Sequence, residues 1–186
     1  MERHTFLAVP IPYELQHQIH SYAEQINTIL PLKKWTSPGD YHITLNFLGA
    51  TSEDQAQQLV QNINHIKSDV HPFELTIDSV GVFGNPNTPR VCWLGVEQSS
   101  ALTQLQQKTT KSCERAGFKT DDRPFRPHIT LGKRWGGNAE ITEQLPEPTQ
   151  LTGSSWTVEE ILLYEIHPQR VQKYVPYHRF HLGKED

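Results

Sequence analysis

Long apolar runs are missing from this chain. The first, in "TFLAVPIP", is broken by Pro10 and Pro12. It is too short for a secretion signal or for a membrane span of about 20 residues, and reads as an edge of the core. Cysteine is scarce: Cys92 and Cys113 are the whole complement. They form neither a CxxC pair nor a zinc-type spacing, which suggests reduced thiols in a cytoplasmic protein. Positive charge is not in excess, since 17 Lys and Arg against 21 Asp and Glu leave a formal net charge of −4. Coating a nucleic acid by bulk attraction is therefore disfavoured, although a local basic pocket is not. No GxGxxG follows the first strand, which counts against a dinucleotide fold. At 186 residues and 35% hydrophobic, the chain can bury one core, either as a single domain or as two small lobes.

The apolar periodicities alternate between the two regular types. "TFLAV" reads as a strand. Leu15, Ile19, Tyr22, Ala23, Ile26 and Ile29 recur at helical spacing between Pro12 and Pro31. "YHITLNFLG" is the next strand. Ser52 and Gln55 then form a capping box for a helix carried by Ala56, Leu59, Val60, Ile63 and Ile66. Phe73, Leu75 and Ile77 alternate as a strand, "GVFGNPNTPR" reads as a turn-rich connection, and "VCWLGV" as a strand. A helix from about Ser100 to Ala116 stops at Gly117. "PHITLGK", "WTVEEILLYEI" and "YVPYHRFHL" complete the strands. This order predicts an α+β fold with antiparallel sheets covered by helices on their outer faces.

One tetrapeptide occurs twice, HITL at 42–45 and again at 128–131. Each copy begins a strand that follows a helix, so the chain reads as two related lobes with one copy in each. Strand side chains alternate, which puts His42 with Thr44 on one face and Ile43 with Leu45 on the other. The same holds for His128 with Thr130 against Ile129 with Leu131. If the lobes face one another, two imidazoles and two hydroxyls line a shared cleft.

That set suits a phosphodiester. In-line displacement at phosphorus needs a base on the attacking oxygen and an acid on the leaving oxygen, and imidazole can serve as either near neutral pH. Threonine hydroxyls can donate to the non-bridging oxygens. Arg123, Arg126, Lys133 and Arg134 surround the second copy, where cations could hold phosphate. Phe47 and Trp35 are candidates for stacking on a base, with Tyr41 and Phe125 near them. Asp40 reads as a turn or ion-pair residue rather than one that orients His42. His17 and His20 lack the further ligands a metal needs. Two other readings of the residues stay open: a non-catalytic RNA-end or phosphate-binding module, and a metal-dependent phosphoesterase.

In "RHTFLAVPIP", Trp35 before "YHITLNFLG", "GVFGNPNTPRVCWLGV", "FRPHITLGKR" and "WTVEEILLYEI…YHRF", nearly the whole chain resembles the 2H phosphoesterase superfamily. Within it, the similarity is to the bacterial and archaeal RNA 2′,3′-cyclic phosphodiesterases, also called 2′-5′ RNA ligases. The resemblance implies one bilobal domain over 1–186, with pseudo-two-fold symmetry and a central cleft. It implies hydrolysis of a 2′,3′-cyclic phosphate, on an RNA 3′ end or a small nucleotide, to a 2′-phosphate without metal or cofactor. Reversal would form a 2′-5′ linkage, and another cyclic phosphate is the alternative substrate. By motif position, His42 and His128 are the catalytic pair and Thr44 and Thr130 hold phosphate. The family commonly has Arg five residues after the second motif's His. Here Lys133 stands there with Arg134 next, which leaves open whether Lys133, Arg134 or Arg126 contacts phosphate. A 2′-phosphate product makes the 3′-oxygen the leaving group, with His42 expected to protonate it and His128 to activate water. The near-symmetry of the motifs leaves the reverse assignment open. A cytoplasmic monomer is expected.

Overall fold

The computed structural model describes residues 3–184. Along the chain it places β1 (Arg3–Pro10), α1 (Tyr13–Asn27), β2 (Leu32–Trp35), a single 3-10 turn (Pro38–Asp40), β3 (His42–Thr51) and α2 (Glu53–Lys67). It continues with β4 (Phe73–Asn85), β5 (Thr88–Val96), α3 (Ser100–Arg115), β6 (His128–Trp135), β7 (Ser155–Val158), β8 (Glu160–Ile166) and β9 (Tyr174–His181). The α+β class expected from the sequence holds: three helices pack on an antiparallel sheet. Among the described residues, no helix is long and apolar enough to cross a membrane.

Local chemistry sets the helix limits. Pro12 precedes α1, whose buried stripe is Leu15, Ile19, Tyr22, Ala23 and Ile26. The capping box at α2 forms as expected, with Ser52 accepting from the Gln55 N–H while the Gln55 side chain accepts from the Ser52 N–H. Ser99 caps α3 by accepting from the Leu102 N–H. Gly117, at φ +80°, ends that helix in a conformation that favours glycine.

The strands form one path in the order β7-β4-β5-β6-β3-β1-β8-β9, with β2 paired beside β6. The two related halves are thus halves of one sheet. They join where β3 and β6 pair antiparallel, Ile43 opposite Ile129. Outward from β6 run β5, β4 and β7, and outward from β3 run β1, β8 and β9. One residue, Glu159, separates β7 at one end of this path from β8 in the other half. Six strand spacings of about 4.8 Å would separate them in a flat sheet, so the sheet must curl.

The helix-covered face holds the main core. Ile43, Leu45, Ile129 and Leu131 are buried there with Ile19, Ile26, Leu59, Ile63, Leu102 and Leu105. Each such side chain contributes roughly 1.5–3 kcal/mol by leaving water, which fixes the face on which the motif strands lie.

Two local expectations are corrected, and one strand had no counterpart in the sequence reading. "GVFGNPNTPR" is mostly strand, its turn confined to the residues between Asn85 and Thr88. Gly81 serves packing: a Cβ there would sit 2.3 Å from the Trp93 ring. "WTVEEILLYEI" is two strands, parted at Glu159 so that each can join a different half. The short strand β2 carried no alternation signal and forms by pairing with β6.

Candidate active site

The central pairing places the chemistry. Ile43 faces Ile129 in an antiparallel register, so His42 lies opposite Thr130 and Thr44 opposite His128. All four side chains point away from the helices and are half-buried. The two histidines are diagonal neighbours across the pair, a relation that separates side-chain positions by roughly 7–8 Å. A single phosphorus fits in that gap.

A shared irregularity shapes both strands. In β3, Asn46 pairs with Leu7 and Thr44 with Ala8, leaving Leu45 as an extra residue. In β6, Gly132 pairs with Cys92 and Thr130 with Trp93, leaving Leu131 extra. The last residue of each HITL is therefore a β-bulge, which turns two successive residues toward the core and resets the alternation. Both strands show the same burial run over the motif and the two residues after it. Phe47 and Lys133 consequently return to the open face, each five residues after its histidine. Phe47 is paired with Phe6 there and is 63% exposed.

Both rings are held identically. His42 Nδ1 is 2.7 Å from the carbonyl of Asp40, and His128 Nδ1 is 2.7 Å from the carbonyl of Arg126. A carbonyl only accepts, so Nδ1 carries the hydrogen and the neutral ring keeps its lone pair on Nε2. The His42 lone pair receives the Thr44 hydroxyl at 3.0 Å. His128 Nε2 has no protein partner among the described residues.

Aromatic walls from neighbouring strands enclose each ring. Phe6 of β1 lies 4.8 Å from His42 and Tyr174 of β9 lies edge-on at 5.1 Å, with Tyr164 of β8 behind them. Across the groove, Phe83 of β4 meets His128 edge-on at 4.9 Å, and Trp93 of β5 lies at 6.3 Å. Burial pulls the His42 pKa down to about 4, against a rise from the Asp40 carbonyl, while the His128 and Lys133 charges add to the lowering. Burial also lowers His128, against the Arg126 carbonyl. Burial thus favours the neutral form of both imidazoles.

The structure sorts the other candidates. Thr44 and Thr130 lie between the histidines. Lys133 faces the groove, and its charge reaches His42. Arg134 follows at a positive φ of 68°. Arg126 supplies its carbonyl, and Arg123 is tied to Asp121. Trp35 is displaced from the site: it pairs with Gly132, packs against the main core and donates to the Leu32 carbonyl. Asp40 proves more than a turn residue. Its carbonyl orients His42, and its buried carboxylate accepts from the backbone N–H groups of Lys173 and Tyr174 at 2.9 and 3.1 Å. Phe6, Tyr164, Tyr174, Phe83 and Trp93 escaped the sequence reading, because only the strand order brings them beside the motifs.

A curled antiparallel sheet with two His-x-Thr strands paired at its centre defines a 2H phosphoesterase. The sequence profile of the 2′-5′ RNA ligase superfamily matches residues 12–170, and the chain belongs to that family. It is 34% identical over 180 residues to the RNA 2′,3′-cyclic phosphodiesterase of Bacillus subtilis, covering 97% of each chain. It is 32% identical over 171 residues to the protein of that name from Geobacillus stearothermophilus. That alignment covers 92% of this chain but only 54% of the relative's length. Among solved structures, E. coli LigT complexed with 3′-AMP superimposes with a TM-score of 0.80 at 28% identity, covering 99% of this chain and all of that one.

Proposed function

We propose that this protein hydrolyses a 2′,3′-cyclic phosphate, on an RNA 3′ end or a small nucleotide, to a 2′-phosphate. The observation that carries the reading is the pair of imidazoles. They are held alike through Nδ1 and present Nε2 on one open face, diagonally across a single strand pair. The names of the similar proteins from Bacillus and Geobacillus supply the substrate class.

The free lone pair of His128 suits it to take a proton from the attacking water. His42, its own lone pair engaged by Thr44, protonates the departing 3′-oxygen after gaining a proton in the complex with anionic phosphate. A ring whose free-protein pKa is about 4 is a strong acid once charged, which favours expulsion of an alkoxide. Thr44 and Thr130 donate to the non-bridging oxygens, and Lys133 balances the developing charge. Phe47 offers the base an exposed face, a contact worth about 1–3 kcal/mol. The chain acts as one bilobal unit with one motif in each half. With a 5′-hydroxyl as nucleophile in place of water, the same steps bond its oxygen to phosphorus while the 3′-oxygen departs protonated, giving a 2′-5′ linkage.

The test is to incubate the protein, with EDTA, with each nucleoside 2′,3′-cyclic phosphate and identify the product. The 2′-phosphate is expected, with turnover unaffected by the chelator. Binding without turnover would instead favour an RNA-end binding module.

A further inference from the structure

The groove has two chemically different ends. Beta-3 and β6 run in opposite directions, so the residues five beyond each histidine lie at opposite ends of the motif pair. Lys133 pairs with Val91, three residues of β5 from Leu94, which faces Ile129. Phe47 pairs with Phe6, three residues of β1 from Val9, which faces Ile43. Each is therefore roughly 10 Å from the central isoleucine pair, one on either side.

At the Lys133 end, cations gather that have no ion-pair partner among the described residues. Lys34 of β2 lies directly opposite Lys133 in the strand register. Like charges in that relation destabilise a sheet. The charges of Lys173, Arg134 and Lys34 all bear on Lys133, and with burial they lower its pKa. None of the four forms an ion pair with a carboxylate among the described residues. Asp40 directs its carboxylate at the backbone N–H groups of Lys173 and Tyr174 rather than at any of the four side chains. A chain with a net charge of −4 has acids to spare, yet among the described residues none is ion-paired to this cluster beside the candidate active site.

We infer that Lys34 and Lys173, with Lys133 at their edge, form a second phosphate subsite for the RNA backbone on the 5′ side of the cyclic end. The inference rests on the proposed hydrolysis and narrows its substrate to an oligoribonucleotide over a mononucleotide. The cluster's offset from the motif centre corresponds to on the order of one to three nucleotides at about 3.4 Å per stacked step. The terminal base then lies toward Phe47 and the chain leaves across the cations. Substrate enters in one polarity.

The experiment compares kcat/KM for a trinucleotide ending in a 2′,3′-cyclic phosphate with that for the cyclic mononucleotide. It uses the unaltered protein and the double variant Lys34→Gln/Lys173→Gln. Neither lysine belongs to the hydrolytic machinery, so mononucleotide turnover reports that the variant is folded and active. The unaltered protein should favour the trinucleotide about tenfold, an advantage that shrinks between 50 and 200 mM salt. In the double variant that advantage should fall toward unity while mononucleotide turnover is unchanged. An undiminished preference in an active variant would overturn the subsite and leave the hydrolysis standing. If a mononucleotide carrying only a 5′-phosphate gains as much as the trinucleotide, the site reads a single terminal phosphate and the oligonucleotide assignment is overturned. Failure of the unaltered protein to turn over either substrate would overturn the hydrolysis itself.

Discussion

The halves built around β3 and β6 share a backbone and differ in what surrounds it. Each strand opens with histidine, anchors that ring to the carbonyl two residues upstream, and bulges at the leucine of its HITL. The first ring is enclosed by Phe6, Tyr164 and Tyr174, whereas the second meets Phe83 and Trp93. Beyond the bulge one half presents Phe47 and the other Lys133. A repeated motif thus presents two similarly held imidazoles, and the residues outside it make them unequal. The proposed hydrolysis uses that inequality, since in it one ring gives a proton while the other takes one.

The largest expected effect tests the inequality directly. His42→Ala and His128→Ala should each lower turnover of a 2′,3′-cyclic nucleotide by roughly 10²–10⁴, the usual contribution of a general acid or base. A p-nitrophenyl phosphodiester separates the roles, because its leaving group departs without a proton. On that substrate His42→Ala should regain most of its loss and His128→Ala should not. The opposite pattern would exchange the two assignments.

A second contrast concerns what stands behind each ring. Both carbonyl anchors belong to the backbone, but only the first is braced by its own side chain. Asp40→Ala leaves the N–H groups of Lys173 and Tyr174 without their buried acceptor. A loss of about 2–3 kcal/mol in stability is expected, with a fall in kcat as Tyr174 and His42 lose their alignment. Arg126→Ala should change stability by no more than about 0.5 kcal/mol, since its side chain has no part in the anchor. Denaturant unfolding of the two variants gives the comparison, and equal effects would remove Asp40 from its bracing role.

The sequence made some of this legible and hid the rest for identifiable reasons. Periodicity located three helices and most strands, and alternation placed His42, Thr44, His128 and Thr130 on the face away from the core. Alternation alone would also carry Gly132 and Arg134 to that face. The bulge at Leu131 reverses this in favour of Lys133, and a bulge depends on the partner strand, which one segment cannot reveal. Trp35 looked available beside the motif because its pairing with Gly132 is a long-range contact. The ring-flanking aromatics come from β1, β4, β5, β8 and β9, so they needed the strand order. Asp40 was underestimated because its hydrogen-bond partners lie 133 and 134 residues away.

The threonines give a smaller, more local comparison. Thr44 donates to His42 Nε2, and a donor at that nitrogen stabilises the neutral ring. Thr44→Val should therefore raise the His42 pKa as well as lower turnover about tenfold, the effect of one hydrogen bond to a charged group. Thr130→Val should lower turnover by a similar factor and leave the His42 titration where it was. Proton NMR of the imidazoles across the pH range reads both. An unmoved His42 in Thr44→Val would show that the hydroxyl serves the phosphate alone.

The smallest effect is thermodynamic, and its sign follows from burial. His42 has a pKa of about 4 in the folded protein and about 6.5 in the unfolded chain. Between those values the unfolded state binds a proton that the folded state refuses, so stability rises with pH across that window. Acidification from pH 7 toward 4 should cost about 1–2 kcal/mol through this ring, a figure discounted because the ring is half-buried and reaches solvent. His128 is shifted in the same direction and adds a smaller share. His42→Asn removes the first contribution, so the variant should lose less stability than the parent over the same pH drop. His128→Asn should narrow the difference less. Urea melts at pH 7 and pH 4.5 measure both slopes, and a steeper dependence in His42→Asn than in the parent would contradict the lowered pKa of the His42 ring on which the asymmetry of the two halves depends.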